Sequence, residues 1–313
     1  MNAFFEFIYH DQRYIAFDRP RDGQDLDAYH YMPGYLHEVL GATEFSFSRY
    51  KERIVDGTPR RVFTAEMLAA ARLVPPMLPP QQSSAMVSGF GLSNKGKVNA
   101  PGQGAAPYPS WFFKGNGSIL KVNGDPLTIS ASAIAVCEEA ELVLVYVNDA
   151  DGKPHYIGFT VGNDVTDMGT IKSCPQGFSY AKLSECAVSE MLFIKPPPLH
   201  LTGRSRIYRE RALAWEGNFS TGIEELYYPI PQMLGNLFKH PSFQLPGMVN
   251  YIYIGADRNS YDGGFRTLPG DVFELEFDEL DLVVRSELAF QARQELQLSP
   301  FPEPALEPLK LAS

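Results

Sequence analysis

The residues best suited to chemistry in this chain are carboxylates placed where a folded protein normally keeps apolar side chains. Glu139 and Glu141 interrupt Ala133–Val147 (AIAVCEEAELVLVYV), a stretch whose aliphatic content reads as β-strand. At the two-residue period of a strand their side chains share a face, and Glu138 faces the other way. Two like charges on one partly buried face repel and lose hydration unless a cation compensates them. Hard divalent ions such as Mg²⁺ take carboxylate oxygens and keep positions open for a substrate. Spacing alone more often means a solvent-facing edge strand, so a second feature has to decide. Gly158–Asp167 (GFTVGNDVTD) reads as an apolar strand whose end carries Asp164, a third carboxylate for such a site. Asn163-Asp164 is equally a good turn pair.

The three cysteines, Cys137, Cys174 and Cys186, have no metal-binding spacing. Their small, odd number argues for a reducing compartment and against a disulfide framework. No histidine stands beside Cys137 or Cys186 in sequence, so both read as buried thiols.

Three segments must position these groups. Residues 1–80 form a small N-terminal α/β segment with strand-like Phe4–Ala16 and a short helix in Ala65–Leu73, closed by the Pro75–Pro80 break. Residues 81–290 alternate short strands with turns. The candidates are Ala85–Phe90, Ala133–Val147, Tyr156–Gly162, Met248–Ile254 and Asp271–Phe277, with a helix at Ile230–Phe238. Residues 291–313 are a proline-rich, peripheral tail. The fold class is α+β and β-rich. No G-x-G-x-x-G opens a helix after a strand, and no phosphate loop is present.

Composition narrows the function further. A net charge of −10 without a lysine/arginine stripe excludes a phosphate-backbone partner and gives no reason for adhesion to anionic membranes. No signal-peptide pattern and no apolar run of membrane-spanning length is visible, so a cytoplasmic location is expected.

Taken together, the motifs resemble the fumarylacetoacetate hydrolase superfamily. They are Glu139-Ala140-Glu141-Leu142, the strand end Gly158–Asp164, Lys182, and Leu268–Phe277 (LPGDVFELEF), in the family's order over about residues 85–290. Pro109–Ser118 (PSWFFKGNGS), Ser205-Arg206-Ile207 and Thr221-Gly222 resemble the 2-keto-3-deoxy sugar-acid branch. The resemblance implies a mixed β-roll/barrel catalytic domain and a homodimer. It also implies Mg²⁺ (or Mn²⁺/Ca²⁺) on Glu139, Glu141 and Asp164, with Lys182 as catalytic cation. Lys114, Gly255 and Ala256 are the implied substrate-binding positions. The implied chemistry is that of a 2-oxo acid or 1,3-dicarbonyl reacting through a metal-stabilised enolate.

Two positions depart from the family pattern. Gly91–Gly96 (GLSNKG) carries Asn94 where a catalytic histidine is usual, and an amide is no general base near neutral pH. His30 and His37-Glu38 form a possible displaced acid/base pair, although surface histidines on a short helix are commoner. Ala256 lacks the hydroxyl of the usual threonine, and Asp257 adds a negative charge that Arg258 balances. C–C bond hydrolysis is the first expectation. Dehydration, decarboxylation or isomerisation is the second, since dehydration needs no activated water. A repurposed, non-catalytic member is a third reading. A binding module built on Trp111 and Tyr227-Tyr228 is a fourth, although such residues are more often core.

Overall fold

The computed structural model describes residues 2–19, 24–31, 36–99 and 106–292. The tail expected at 291–313 therefore lies almost wholly outside the described residues.

Alternating aromatic and aliphatic residues near the N-terminus give a hairpin, β1 (Ala3–Tyr9) and β2 (Gln12–Ala16). His10 and Asp11 turn it at positive φ, a conformation that residues of these types tolerate better than most. β3 (Leu26–His30), α1 (Leu36–Ala42), α2 (Phe47–Gly57) and β4 (Arg60–Phe63) follow. Helix α2 buries Tyr50 and Ile54, one turn apart on one face. The helix expected in Ala65–Leu73 is α3 (Ala65–Ala69), capped by the Thr64 hydroxyl. It stops early because Arg72–Val74 is extended as β5 and pairs with β1.

The next segment holds β6 (Ala85–Gly91), α4 (Lys95–Val98), β7 (Ser110–Asn116), β8 (Leu120–Val122) and β9 (Leu127–Ile129). Then come β10 (Val136–Cys137), β11 (Ala140–Asn148), β12 (Pro154–Asn163) and β13 (Thr166–Asp167). Helices α5 (Met168–Ser173) and α6 (Phe178–Ala181) precede β14 (Cys186–Val188) and β15 (Met191–Phe193). The chain closes with β16 (Leu201–Arg209), β17 (Ala212–Thr221), α7 (Ile230–Phe238), β18 (Val249–Tyr253), β19 (Val272–Phe277) and β20 (Leu282–Phe290).

The large mixed sheet runs β4-β3-β2-β1-β15-β12-β11-β18-β6-β7, and a second runs β17-β16-β19-β20-β9. Among the described residues neither path closes on itself, so the roll is open-edged. The N-terminal hairpin belongs to the large sheet, because β1 pairs with β15 from Ala3↔Phe193 to Phe5↔Met191.

Strand β11 lies in the middle and is buried on both faces. Leu142 and Leu144 pack into one core, and Val143, Val145 and Val147 into the other. That double burial explains its nearly unbroken apolar run, and it makes the glutamates at its start costly. No helix among the described residues is long and apolar enough to cross a membrane.

Candidate metal centre

Glu139 sits just before β11 and Glu141 is the second residue of that strand. Antiparallel pairing sets Ala140 opposite Asn163 and Glu141 opposite Gly162. Asp164 follows directly, and its N–H donates to the Glu139 carbonyl at 2.9 Å. Asn163 Oδ1 accepts the Glu139 N–H at 3.1 Å, which fixes the strand start. Register therefore brings the three carboxylates together: one oxygen from each lies within 4.8 Å of the others. All three are buried.

Lysines surround them. Lys182 ends α6, and its Nζ donates to Glu139 Oε2 at 2.8 Å, Asp164 Oδ2 at 2.6 Å and Thr166 Oγ1 at 2.6 Å. The ammonium also lies 4.3 Å from the centre of the Phe112 ring. The Thr166 hydroxyl in turn donates a hydrogen bond to Glu139 Oε2 at 3.0 Å. Lys114, on β7, places Nζ 2.7 Å from Asp164 Oδ1, off the hydrogen-bond line but close enough to pair by charge. It donates to the carbonyls of Val165 and Lys182 and to Ser184 Oγ. Lys114 is only 1% exposed. Its protons are all directed at protein oxygens, and it supports Asp164.

A third lysine was not foreseen. Lys97 on α4 sets its Nζ 2.6 Å from Glu139 Oε1. Its side chain is 20% exposed, against 5% for Lys182 and 0% for Lys114. In sequence, SNKGKVN reads as an ordinary surface turn, and nothing in it points to Glu139 forty residues on.

Glu141 has no lysine at ion-pair distance among the described residues; its Oε2 accepts the Gly255 N–H at 2.7 Å. Gly255 can offer that N–H because its φ is +105°, and a side chain there would collide with Ser93 Oγ. Ala256 is buried beside it. Asn94 caps α4, its Oδ1 accepting the Gly96 N–H at 2.8 Å, while its buried Nδ2 has no partner. Glu138, in the link between β10 and β11, is held away from the cluster. It accepts from Ser205 Oγ and from the Ser260 N–H and hydroxyl, and burial pushes its carboxyl up to about 7.

The two clustered glutamates are driven apart. Burial, then the negative charges of Asp164 and Glu139, push the Glu141 carboxyl well above the usual range. Burial also opposes ionisation of Glu139, but Lys182 and Lys97 outweigh it and hold that carboxyl well below its ordinary value. The Lys182 ammonium is disfavoured by burial yet is raised by Asp164 and Glu139. The lysines thus compensate two of the carboxylates and leave the third without a cation. Hard oxygen donors with one uncompensated carboxylate fit a small divalent ion such as Mg²⁺ or Mn²⁺.

Among the described residues no histidine pairs with these carboxylates. His155 pairs with Asp149 at 2.7 Å, and His200 with Glu225 at 3.0 Å. His30 packs edge-on against Tyr14 in the N-terminal strands, and the His37 side chain lies outside the described residues. Cys137 and Cys186 are buried, and burial pushes both thiols up, that of Cys186 to about 12. Trp111 packs edge-on against Phe243 and is exposed, as is Tyr227, whereas Tyr228 is buried.

By sequence the chain matches no family model and no curated protein. Solved structures match nearly throughout. One is a 2-keto-3-deoxy-D-arabinonate dehydratase complexed with magnesium and 2,5-dioxopentanoate, at TM-score 0.67 and 16% identity, covering 93% of this chain and 100% of that one. Another is a 2-hydroxyhepta-2,4-diene-1,7-dioate isomerase from Mycobacterium marinum, at TM-score 0.60 and 15% identity, covering 94% and 100%. The chain has the fold of the fumarylacetoacetate hydrolase superfamily. A 5-carboxymethyl-2-hydroxymuconate delta-isomerase from Mycobacterium smegmatis shares it as well, at TM-score 0.59 and 15% identity, over 92% of this chain.

Proposed function

We propose that the chain is a divalent-metal-dependent enzyme acting on a 2-oxo acid, with dehydration of a 2-keto-3-deoxy acid ahead of C–C bond hydrolysis. The observation that carries this reading is the buried triad of Glu139, Glu141 and Asp164, with lysines on two of its members and none on the third. In support, a protein of the same fold holds magnesium and a 2-oxo acid aldehyde.

Glu139, Glu141 and Asp164 would hold the ion, Mg²⁺ first and Mn²⁺ or Ca²⁺ as alternatives. A bound divalent ion supplies a Lewis acid for the carbonyl end of the substrate. The chain's own residues do the rest. Lys182, locked by three hydrogen bonds, fixes the orientation of Glu139 and Asp164 and keeps a positive charge where an enolate oxygen develops. Lys114 holds Asp164 from the protein side. Gly255 N–H orients Glu141. Dehydration ranks above hydrolysis because hydrolysis needs a base to activate water, and Asn94 cannot serve as one. The same reading carries a homodimer formed through residues 81–290 and a cytoplasmic location. Its partner is a small molecule, with neither nucleic acid nor membrane.

Two measurements test it. Mn²⁺ titration followed by electron paramagnetic resonance should show one tight site, weakened at least about 100-fold in Glu141→Gln and in Asp164→Asn. Mass spectrometry of 2-keto-3-deoxy acids and acylpyruvates incubated with the Mg²⁺ protein should show loss of water from the former. A wild-type chain that binds no divalent ion sinks the reading; cleavage of acylpyruvates alone reverses the order of the two reactions.

A further inference from the structure

Ala256 leaves a question that the metal triad does not answer. A 2-oxo acid carries a carboxylate, and the hydroxyl that would receive it is absent at Ala256. The Gly255 N–H is already engaged by Glu141. The segment packed against this turn is Ser93–Val98. Ser93 Oγ donates to the Ile254 carbonyl at 2.6 Å and fills the space beside Gly255. One residue on, Asn94 starts α4, and its backbone bridges to Leu226. Its Oδ1 is used to cap the helix, which leaves the Nδ2 amide, buried and without an acceptor. Lys97 stands three residues later, on the same turn of helix, and supplies the most exposed ammonium of the cluster. Two hydrogen-bond donors are thus offered from one short helix, one of them, Lys97, standing on Glu139. That donor set is complementary to a carboxylate.

We propose that Lys97 and Asn94 form the site for the substrate's carboxylate, with Lys97 exchanging Glu139 Oε1 for the substrate oxygen once a divalent ion takes over compensation of Glu139. The inference rests on the metal-dependent reading above. It explains why Ala256 is tolerated, and why this segment carries an amide and a lysine in place of a basic imidazole. Asp257 also borders the region, but Arg258 lies 3.4 Å from its carboxylate, and the Ser220 N–H donates to it. The neighbourhood is therefore not left with an uncompensated anion that would repel the ligand.

Oxalate, an unreactive dicarboxylate that mimics a 2-oxo acid in its enolate form, provides the probe. Calorimetry of oxalate binding to the Mn²⁺-loaded full chain should give at least about tenfold weaker affinity for Lys97→Met. Mn²⁺ affinity of that variant, measured without oxalate, should be unchanged or tighter, because a competitor for Glu139 is gone. Lys97→Arg should bind oxalate within about threefold of wild type. Asn94→Asp keeps a good helix cap but replaces the amide donor by an anion, and it should also weaken oxalate at least about tenfold. It provides an independent arm if Lys97→Met fails to fold. Oxalate affinity within twofold of wild type in a folded Lys97→Met or Asn94→Asp overturns the inference. So does loss of Mn²⁺ binding in Lys97→Met, which would make Lys97 part of the cation cradle. A wild type that binds no Mn²⁺ overturns the metal reading itself, and the inference with it.

Discussion

Two clusters of buried charge lie in the large sheet, and they are built on opposite principles. In the N-terminal half Glu6 is fully buried on β1 and pairs with Arg13 of β2, whose second nitrogen donates to the Leu78 carbonyl at 2.7 Å. The remaining Glu6 oxygen accepts the Met77 N–H at 3.3 Å. One anion meets one cation, and backbone groups take much of what is left. At the head of β11 the arithmetic differs: three carboxylates converge and the lysines hold only two of them. Burial of charge is thus common to both clusters and does not mark a function. The mark is a carboxyl group with no lysine at ion-pair distance, at a strand end, beside a lysine whose side chain is one-fifth exposed.

The largest effect expected on stability comes from the closed pair. Arg13→Met strands Glu6 without a counter-ion and should cost about 3–5 kcal/mol in urea unfolding, equally with and without Mn²⁺. Lys182→Met removes a buried cation of comparable standing and should cost a similar amount in the metal-free chain. Here Mn²⁺ should restore most of the loss, because a divalent ion replaces the missing charge, and turnover should stay abolished. Equal rescue of both variants, or of neither, would erase the distinction between the clusters.

The smallest effect concerns the thiols bordering the second cluster. Cys137 and Cys186 are held far above the pH of a labelling reaction, so below their raised values they stay protonated and unreactive. At pH 8 a disulfide reagent should modify Cys174 alone in the folded chain and all three cysteines in denaturant. Rapid native labelling of two or three would mean that the carboxylate end of the sheet opens far more readily than its packing implies.

Much of this organisation is legible in the sequence, because period-two alternation and turn residues act locally. β6 ends at Gly91 as expected, and α7 coincides with Ile230–Phe238. The carboxylates could be read because a charge inside an apolar run contradicts its surroundings. Lys97 could not, nor could the pairing of Lys114 with Asp164. A lysine between a glycine and a valine, or one following an aromatic run, has nothing around it in sequence to contradict; its partner is decided by sheet order and by the fold of a distant strand end. The same is true of the union of the N-terminal hairpin with the strands that carry the carboxylates, which depends on three residues of β15.

That union bears on the order in which the molecule can be made. Strand β1 finds its outer neighbour, β2, soon after it is made, but the neighbour at its start includes Met191 and Phe193. Until those residues emerge, the start of β1 presents an open edge carrying Phe4 and Phe5, the kind of surface that nascent chains join to one another, while β5 covers the Phe7 end much earlier. Closing so long a loop costs little more free energy than closing a moderate one, since the entropy grows only with the logarithm of length. The burden is one of time, and it falls on the interval between synthesis of the first strand and synthesis of the fifteenth.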